Sequence, residues 1–149
     1  VGSEMCIRDR ASQIGMYKTE ALAENLREIN PYIELETHTV RITVENALPL
    51  LKNADVICEA FDHAEAKAML TNLVLEAMPE TYLVAASGMA GFGSANTVKT
   101  RRIMKRFYLC GDEASDVNGG IGLVSSRVML CAAHQAHMVL RILTDVFEV

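Results

Sequence analysis

The chain has 149 residues, half of them apolar and none of them Trp, with a formal charge of -5; this is the size of one domain whose core is filled by Leu, Val, Ile, Ala and Met. The charge supplies no broad basic field, which argues against nucleic acid as the main partner. Cysteines at 6, 58, 110 and 131 lack CxxC spacing and a disulfide-framework pattern, no apolar run is long enough to cross a bilayer, and no signal-peptide core is present, so a soluble cytoplasmic protein is expected.

Residues 1–10, Val-Gly-Ser-Glu-Met-Cys-Ile-Arg-Asp-Arg, have no periodicity that continues into the residues after them. They resemble translated adapter-like tails and are set aside, with the native chain expected to start near Ala11. Leu22, Leu26 and Ile29 then fall at helical spacing over Thr19 to Ile29, and Asn30-Pro31 stops the run. Residues 33–43 alternate apolar and polar in their first part and predict a half-buried strand. Glu45 to Leu51 reads as a short helix.

The stretch Ala54-Asp55-Val56-Ile57-Cys58-Glu59-Ala60-Phe61-Asp62 reads as a buried parallel strand that delivers Asp62 to its C-terminal tip. In open α/β sheets that edge is where ligands bind. A helix begins directly afterwards and places Lys67 about a turn and a half beyond the acid, an arrangement that suits a metal-nucleotide site. An Asp in this position also serves as a helix N-cap, accepting the unpaired amide hydrogens of the first turn. From this segment alone the cap is preferred, because capping is general and catalysis is not.

The helix is expected over 64–78, ending at Pro79, and Tyr82 to Ala86 reads as a second buried strand. The alternation of helices and strands indicates a parallel sheet with right-handed crossovers. Residues 88–96 form a glycine-punctuated loop whose spacing is not GxGxxG, so it is a turn first and a ligand loop second. A basic, strand-like stretch comes next at 98–110, where Lys99, Arg101, Arg102, Lys105 and Arg106 form one solvated face. Asn118-Gly119-Gly120-Ile121-Gly122 is a second glycine-rich loop before a helix from about Ser126 to Phe147. That helix carries Cys131, His134 and His137 on roughly one face, but three ligands on one helix make poor tetrahedral geometry, and no metal is predicted there.

Several stretches together resemble the E1-like adenylyltransferases of the ThiF, MoeB and HesA group: Gln13-Ile14-Gly15-Met16-Tyr17-Lys18, Asn25 to Pro31, Ala54 to Asp62, and Gly120-Ile121-Gly122-Leu123 leading into the last helix. The short ThiF subfamily, which adenylates the sulfur carrier ThiS, is similar in Glu59-Ala60-Phe61-Asp62, Ala85 to Gly91, Phe107 to Asp112 and Ala133-His134-Gln135-Ala136. The resemblance covers about 11–149.

It implies a Rossmann-like α/β sheet with flanking helices, a homodimer, and a reaction that uses ATP and magnesium. The C-terminal carboxylate of a ubiquitin-like carrier would attack the α-phosphorus, giving an acyl adenylate and pyrophosphate, which demands charge neutralisation and alignment. By the same resemblance Lys18 is the phosphate-binding lysine, Asp62 the magnesium ligand that also caps, and Lys67 a residue with a weaker phosphate or structural role. The family's first strand, glycine-rich phosphate loop and ribose-binding acid have no counterpart here. The expectation is therefore a C-terminal part of a longer adenylyltransferase, with the first βαβ unit missing and activity impaired. The zinc of longer relatives is not carried over, since only Cys110 stands where one of their paired CxxC motifs would lie. Their sulfur-transferring cysteine has no match in Ser115-Asp116-Val117. An E1-like tRNA threonylcarbamoyladenosine dehydratase and a non-catalytic carrier-binding or dimerisation module are the alternatives.

Overall fold

A computed structural model describes residues 10–115 and 122–149. It divides into two compact units, Val1–Ile42 and Thr43–Val149. The tail expected at 1–10, apart from Arg10, and most of the 118–122 loop lie outside the described residues.

In the first unit a 3-10 turn, Ala11–Gln13, precedes helix α1, Lys18–Ile29. Buried Gln13 joins the two, because its amide donates to Ala21 O, Glu24 Oε2 and Asn25 Oδ1 at 3.3, 2.7 and 2.9 Å. Helix α1 stops at Asn30, before Pro31. The strand expected at 33–43 does not form: these residues are almost all exposed and have no regular structure. A helix satisfies its own amides, whereas a strand needs a neighbour, and among the described residues of its own unit this segment has no strand beside it.

The second unit begins with helix α2, Val44–Leu51, capped by Thr43, whose amide donates to Asn46 Oδ1 at 2.8 Å. Strand β1, Val56–Cys58, helix α3, Ala64–Ala77, and strand β2, Tyr82–Ala86, form a parallel crossover unit. The basic stretch is not one strand. It is a hairpin of β3, Lys99–Met104, and β4, Phe107–Gly111, turning at Lys105-Arg106. Helix α4, Ser125–Leu143, closes the unit.

The sheet order is β1-β2-β4-β3, with β1, β2 and β4 parallel and β3 antiparallel to β4. Burial explains the order: Phe107, Tyr108, Cys110 and Gly111 of β4 are buried and take the interior place. The basic β3 is exposed and takes the edge, where charge discourages further strand pairing. Its charges are met locally. Arg101 pairs with Glu113, Arg106 pairs with Glu80 at 2.6 Å and lies over the Tyr82 ring, and Arg102 lies over the Tyr108 ring.

Helix α4 packs across the sheet, its Cys131, Met138 and Ile142 meeting Val84, Ala86, Tyr108 and Cys110 in one cluster. Alternate residues Leu83 and Ala85 point the other way and are also buried, on the face where α3 supplies Leu70 and Val74. Helix α4 ends four residues earlier than expected, because Thr144 Oγ1 caps Leu140 O and Arg141 O and Asp145 adopts a positive φ of 59°. The chain then returns, stacking Phe147 on Tyr82 with ring centroids 5.5 Å apart.

Candidate functional site at the carboxyl edge of the sheet

The parallel strands β1, β2 and β4 all end on one edge, where α3 also begins. Glu59 stands directly after β1, with its amide donating to Val84 O at 2.9 Å, and its side chain is 1 % exposed. Glu59 Oε1 accepts the Phe61 amide at 2.6 Å. Lys67 Nζ, from α3, donates to Glu59 Oε1 and Oε2 at 3.1 and 3.2 Å and to Ala86 O at 3.1 Å. The Lys67 ammonium group thus has three acceptor oxygens within the chain, two of them on Glu59. Gln135 of α4 donates to Glu59 O at 2.8 Å and to Val84 O at 3.2 Å. One acid is thereby tied to β2, α3 and α4.

Asp62, three residues on, is placed differently. Its side chain is 79 % exposed, and the ionisable side chain within 4 Å of it among the described residues is His63, with Nε2 at 3.9 Å. The capping role expected of it is not what the structure shows: the N-cap of α3 is His63, in extended backbone, and that residue's side chain makes no capping bond. The turn through Phe61 and Asp62 carries the carboxylate one residue short of the cap position. Asp62 is left as a projecting oxyanion at the mouth of the sheet edge.

A second cluster joins the loops after β2 and β4. Asp112 Oδ1 accepts the amides of Ala114 and Ser115 and the Ser115 hydroxyl at 2.9–3.0 Å, and its Oδ2 pairs with buried Arg127. Arg127 also holds Gly93 O, Ser94 O and Thr97 Oγ1. Burial by itself would raise the Asp112 carboxyl pKa, but the hydrogen bonds from Ser115, Ala114 and Arg127 outweigh it and hold the value at about 2. Glycine is required where these loops meet. A Cβ on Gly88 would lie 2.1 Å from Asp112 Oδ1, and one on Gly111 would lie 1.6 Å from Ser87 O.

Lys18 lies in the first unit, at the start of α1, exposed in a shallow cleft of about 350 Å³ with Tyr17, Thr19, His38, Thr39 and Arg41. Asp62 and Lys67 therefore share a unit, and Lys18 belongs to the other.

The Cys131, His134 and His137 set serves separate ends. Cys131 donates to Cys110 O, His134 Nδ1 bonds Thr100 Oγ1 at 2.9 Å, and His137 is exposed. Cys110 is fully buried rather than partly so, and burial pushes its thiol up to about 11 despite the contact with Thr100. No group of three metal-ligating side chains occurs among the described residues.

Glu59, Asp112, Arg127 and Gln135 do not stand out in the sequence as site residues. Their signal is a polar or ionisable residue lodged in apolar surroundings, Glu59 in Ile57-Cys58-Glu59-Ala60-Phe61 being the plainest. Such a residue must find a partner or reach water.

A mostly parallel α/β sheet with polar residues gathered at its carboxyl edge defines a Rossmann-like class of domain. Residues 9–149 match the model of the ThiF family, and the chain belongs to that family. It is 22% identical over 143 residues to the adenylyltransferase and sulfurtransferase UBA4 of Lodderomyces elongisporus, covering 93% of this chain and 31% of that protein. It is 36% identical over 59 residues to the adenylyltransferase and sulfurtransferase MOCS3 of Anopheles gambiae, covering 40% of this chain and 13% of that protein. The chain thus spans less than a third of the length of these two relatives. Among solved structures, the E. coli tRNA N6-threonylcarbamoyladenosine dehydratase in complex with ATP aligns with a TM-score of 0.75 at 15% identity, over 91% of this chain and 68% of that one. The same enzyme in complex with AMP aligns with a TM-score of 0.73. That likeness establishes the fold. No described helix is long and apolar enough to cross a membrane.

Proposed function

We propose that this chain supplies the carboxyl-edge half of an ATP site in an adenylyltransferase, which activates the C-terminal carboxylate of a ThiS-like, ubiquitin-like sulfur carrier for thiazole and thiamine synthesis. The observation that carries the reading is Asp62, an exposed carboxylate with a single weak neighbour among the described residues, at the ligand-binding edge of a ThiF-family sheet. The names of the adenylyltransferase relatives support the reaction class. The phrases Glu59 to Asp62, Ala85 to Gly91 and Phe107 to Asp112 support the ThiS branch.

One projecting carboxylate fits magnesium, which is commonly held by one or two carboxylates together with substrate phosphates and water. Bound there, the ion would neutralise phosphate charge as pyrophosphate leaves. Asp62 would hold that ion; Lys18, in the other unit, is proposed as a phosphate-binding residue on the family resemblance of Gln13 to Lys18 alone. The carrier carboxylate forms the new bond to the α-phosphorus while the bond to the pyrophosphate oxygen breaks, so no protein nucleophile is needed. Buried, unionised Cys110 suits such a role poorly in any case. Exposed Met129, Leu140 and Leu143 of α4 support a homodimer, and free cysteines without CxxC spacing support a cytoplasmic setting.

Carrier-dependent ATP-pyrophosphate exchange, measured on the longer protein that contains this chain, tests the reading. Asp62→Ala is expected to reduce exchange at least about 100-fold, the scale of losing one charge-stabilising group. Undiminished exchange would remove Asp62 from the reaction.

A further inference from the structure

We propose that Glu59 and Lys67 are positioning residues for Asp62: a partly buried ion pair that holds the turn 59–63 in a single shape, so that the Asp62 carboxylate meets the nucleotide's cation already oriented. The proposal rests on the ATP reading of Asp62 and adds to it the means by which that acid is fixed.

Three features of the geometry carry it. First, Glu59 folds back onto its own turn, its Oε1 accepting the amide of Phe61, the residue immediately before Asp62, at 2.6 Å. Second, Lys67 donates to both oxygens of this acid and to Ala86 O, which anchors the turn to the end of β2. Third, Gln135 holds the Glu59 carbonyl from α4, so the root of the turn cannot swing as a unit. Against this, Asp62 itself has no tether among the described residues beyond His63 at 3.9 Å. Its orientation is set by the backbone that Glu59 and Lys67 fix.

Placing a charge pair at a site where Glu59 is 1 % exposed carries a desolvation cost that apolar side chains would avoid. What the pair supplies in return is direction. Both carboxylate oxygens are used and the ammonium group has three acceptor oxygens, which permits one arrangement of the turn. An acid that takes up a cation from a fixed turn loses no backbone freedom on binding, the usual contribution of groups behind a metal ligand.

The test uses the longer protein that contains this chain, with Lys67→Met, Lys67→Arg, Glu59→Gln and Asp62→Asn variants. Two signals are read: amide hydrogen exchange at Phe61 and Asp62, with Leu83 and Val84 as the core reference, and Mn²⁺ broadening of the Asp62 and His63 resonances in the presence of ATP. Lys67→Met is expected to speed exchange at Phe61 and Asp62 about tenfold while Leu83 and Val84 hold. It should also weaken the Mn²⁺ effect about tenfold, the lower end of what losing a ligand's support costs. Lys67→Arg, which can still grip both oxygens, is expected to restore both signals. If Lys67→Met fails to fold, Glu59→Gln takes its place, since it keeps an acceptor for the Phe61 amide and removes the charge.

Unchanged protection at Phe61 and Asp62 would overturn the proposal. So would a loosened turn that leaves the Mn²⁺ effect intact. Wild-type broadening in Asp62→Asn would overturn the nucleotide reading of Asp62, while the exchange measurement, which needs no ligand, still decides whether the pair fixes the turn.

Discussion

Glu59 and Asp62 are carboxylates three residues apart on the same turn, yet one is 1 % exposed and the other 79 %. Glu59 stands directly after β1, so its side chain is enclosed between the sheet and α3, where the Lys67 ammonium meets it. Asp62 lies beyond the last ladder bond and one residue short of the helix cap, so its oxygens stay open to solvent. The contrast teaches that position along a strand tip, more than residue type, separates an acid that builds the site from one left free to serve it. Asp112 is an intermediate case: at the tip of β4 it is engaged by Ala114, Ser115 and Arg127, and it organises loops as Glu59 organises its turn.

The contrast can be broken most forcefully at Glu59. Glu59→Ala removes the partner of Lys67 and the acceptor of the Phe61 amide together, and should cost about 3 kcal/mol of stability, measured by urea unfolding. A cost under about 1 kcal/mol would mean that the pair behaves in solution as an exposed one.

Acid titration comes next. The folded carboxyl of Asp112 lies below its ordinary value of 3.8, at about 2, so its contribution is fully present above about pH 4 and is lost as pH falls toward 2. Asp112→Asn should flatten the dependence of stability on pH in that window. An unchanged acid limb would assign the loss to other carboxylates.

The smallest effect belongs to Asp62. Asp62→Ala should alter stability by less than about 0.5 kcal/mol, because an exposed side chain with no close partner takes nothing with it. A large thermal shift would show that the two acids are not as different as their exposures indicate.

Much of this was legible in the chain itself. Helices α1, α2 and α3 and strand β2 fall within a residue or two of the periodicities and stops that announce them, because helical amides are satisfied within a few residues and a buried parallel strand is written as a short apolar run. The stretch Ala54 to Asp62 was less exact: only Val56–Cys58 forms a strand, and at the sheet edge it is half-buried, with Cys58 exposed. The family phrases likewise lead to the strand tip that bears Asp62. The tertiary structure decided what depends on distant partners. Residues 33–43 alternate like a strand but have no strand partner among the described residues of their unit, while 98–110 divides into a hairpin whose apolar half displaces its basic half from the sheet interior.

The fate of the ionisable groups was decided in the same way. Lys67 at a helix start reads as a residue with a weaker phosphate or structural role, and only the folding of Glu59, eight residues earlier, and Ala86, nineteen later, against it brings three acceptor oxygens to its ammonium group. Sequence carries the local hydrogen-bond pattern and the apolar period. Which charges are buried, and which acid is left facing the solvent, is set by long-range contacts that no local pattern contains.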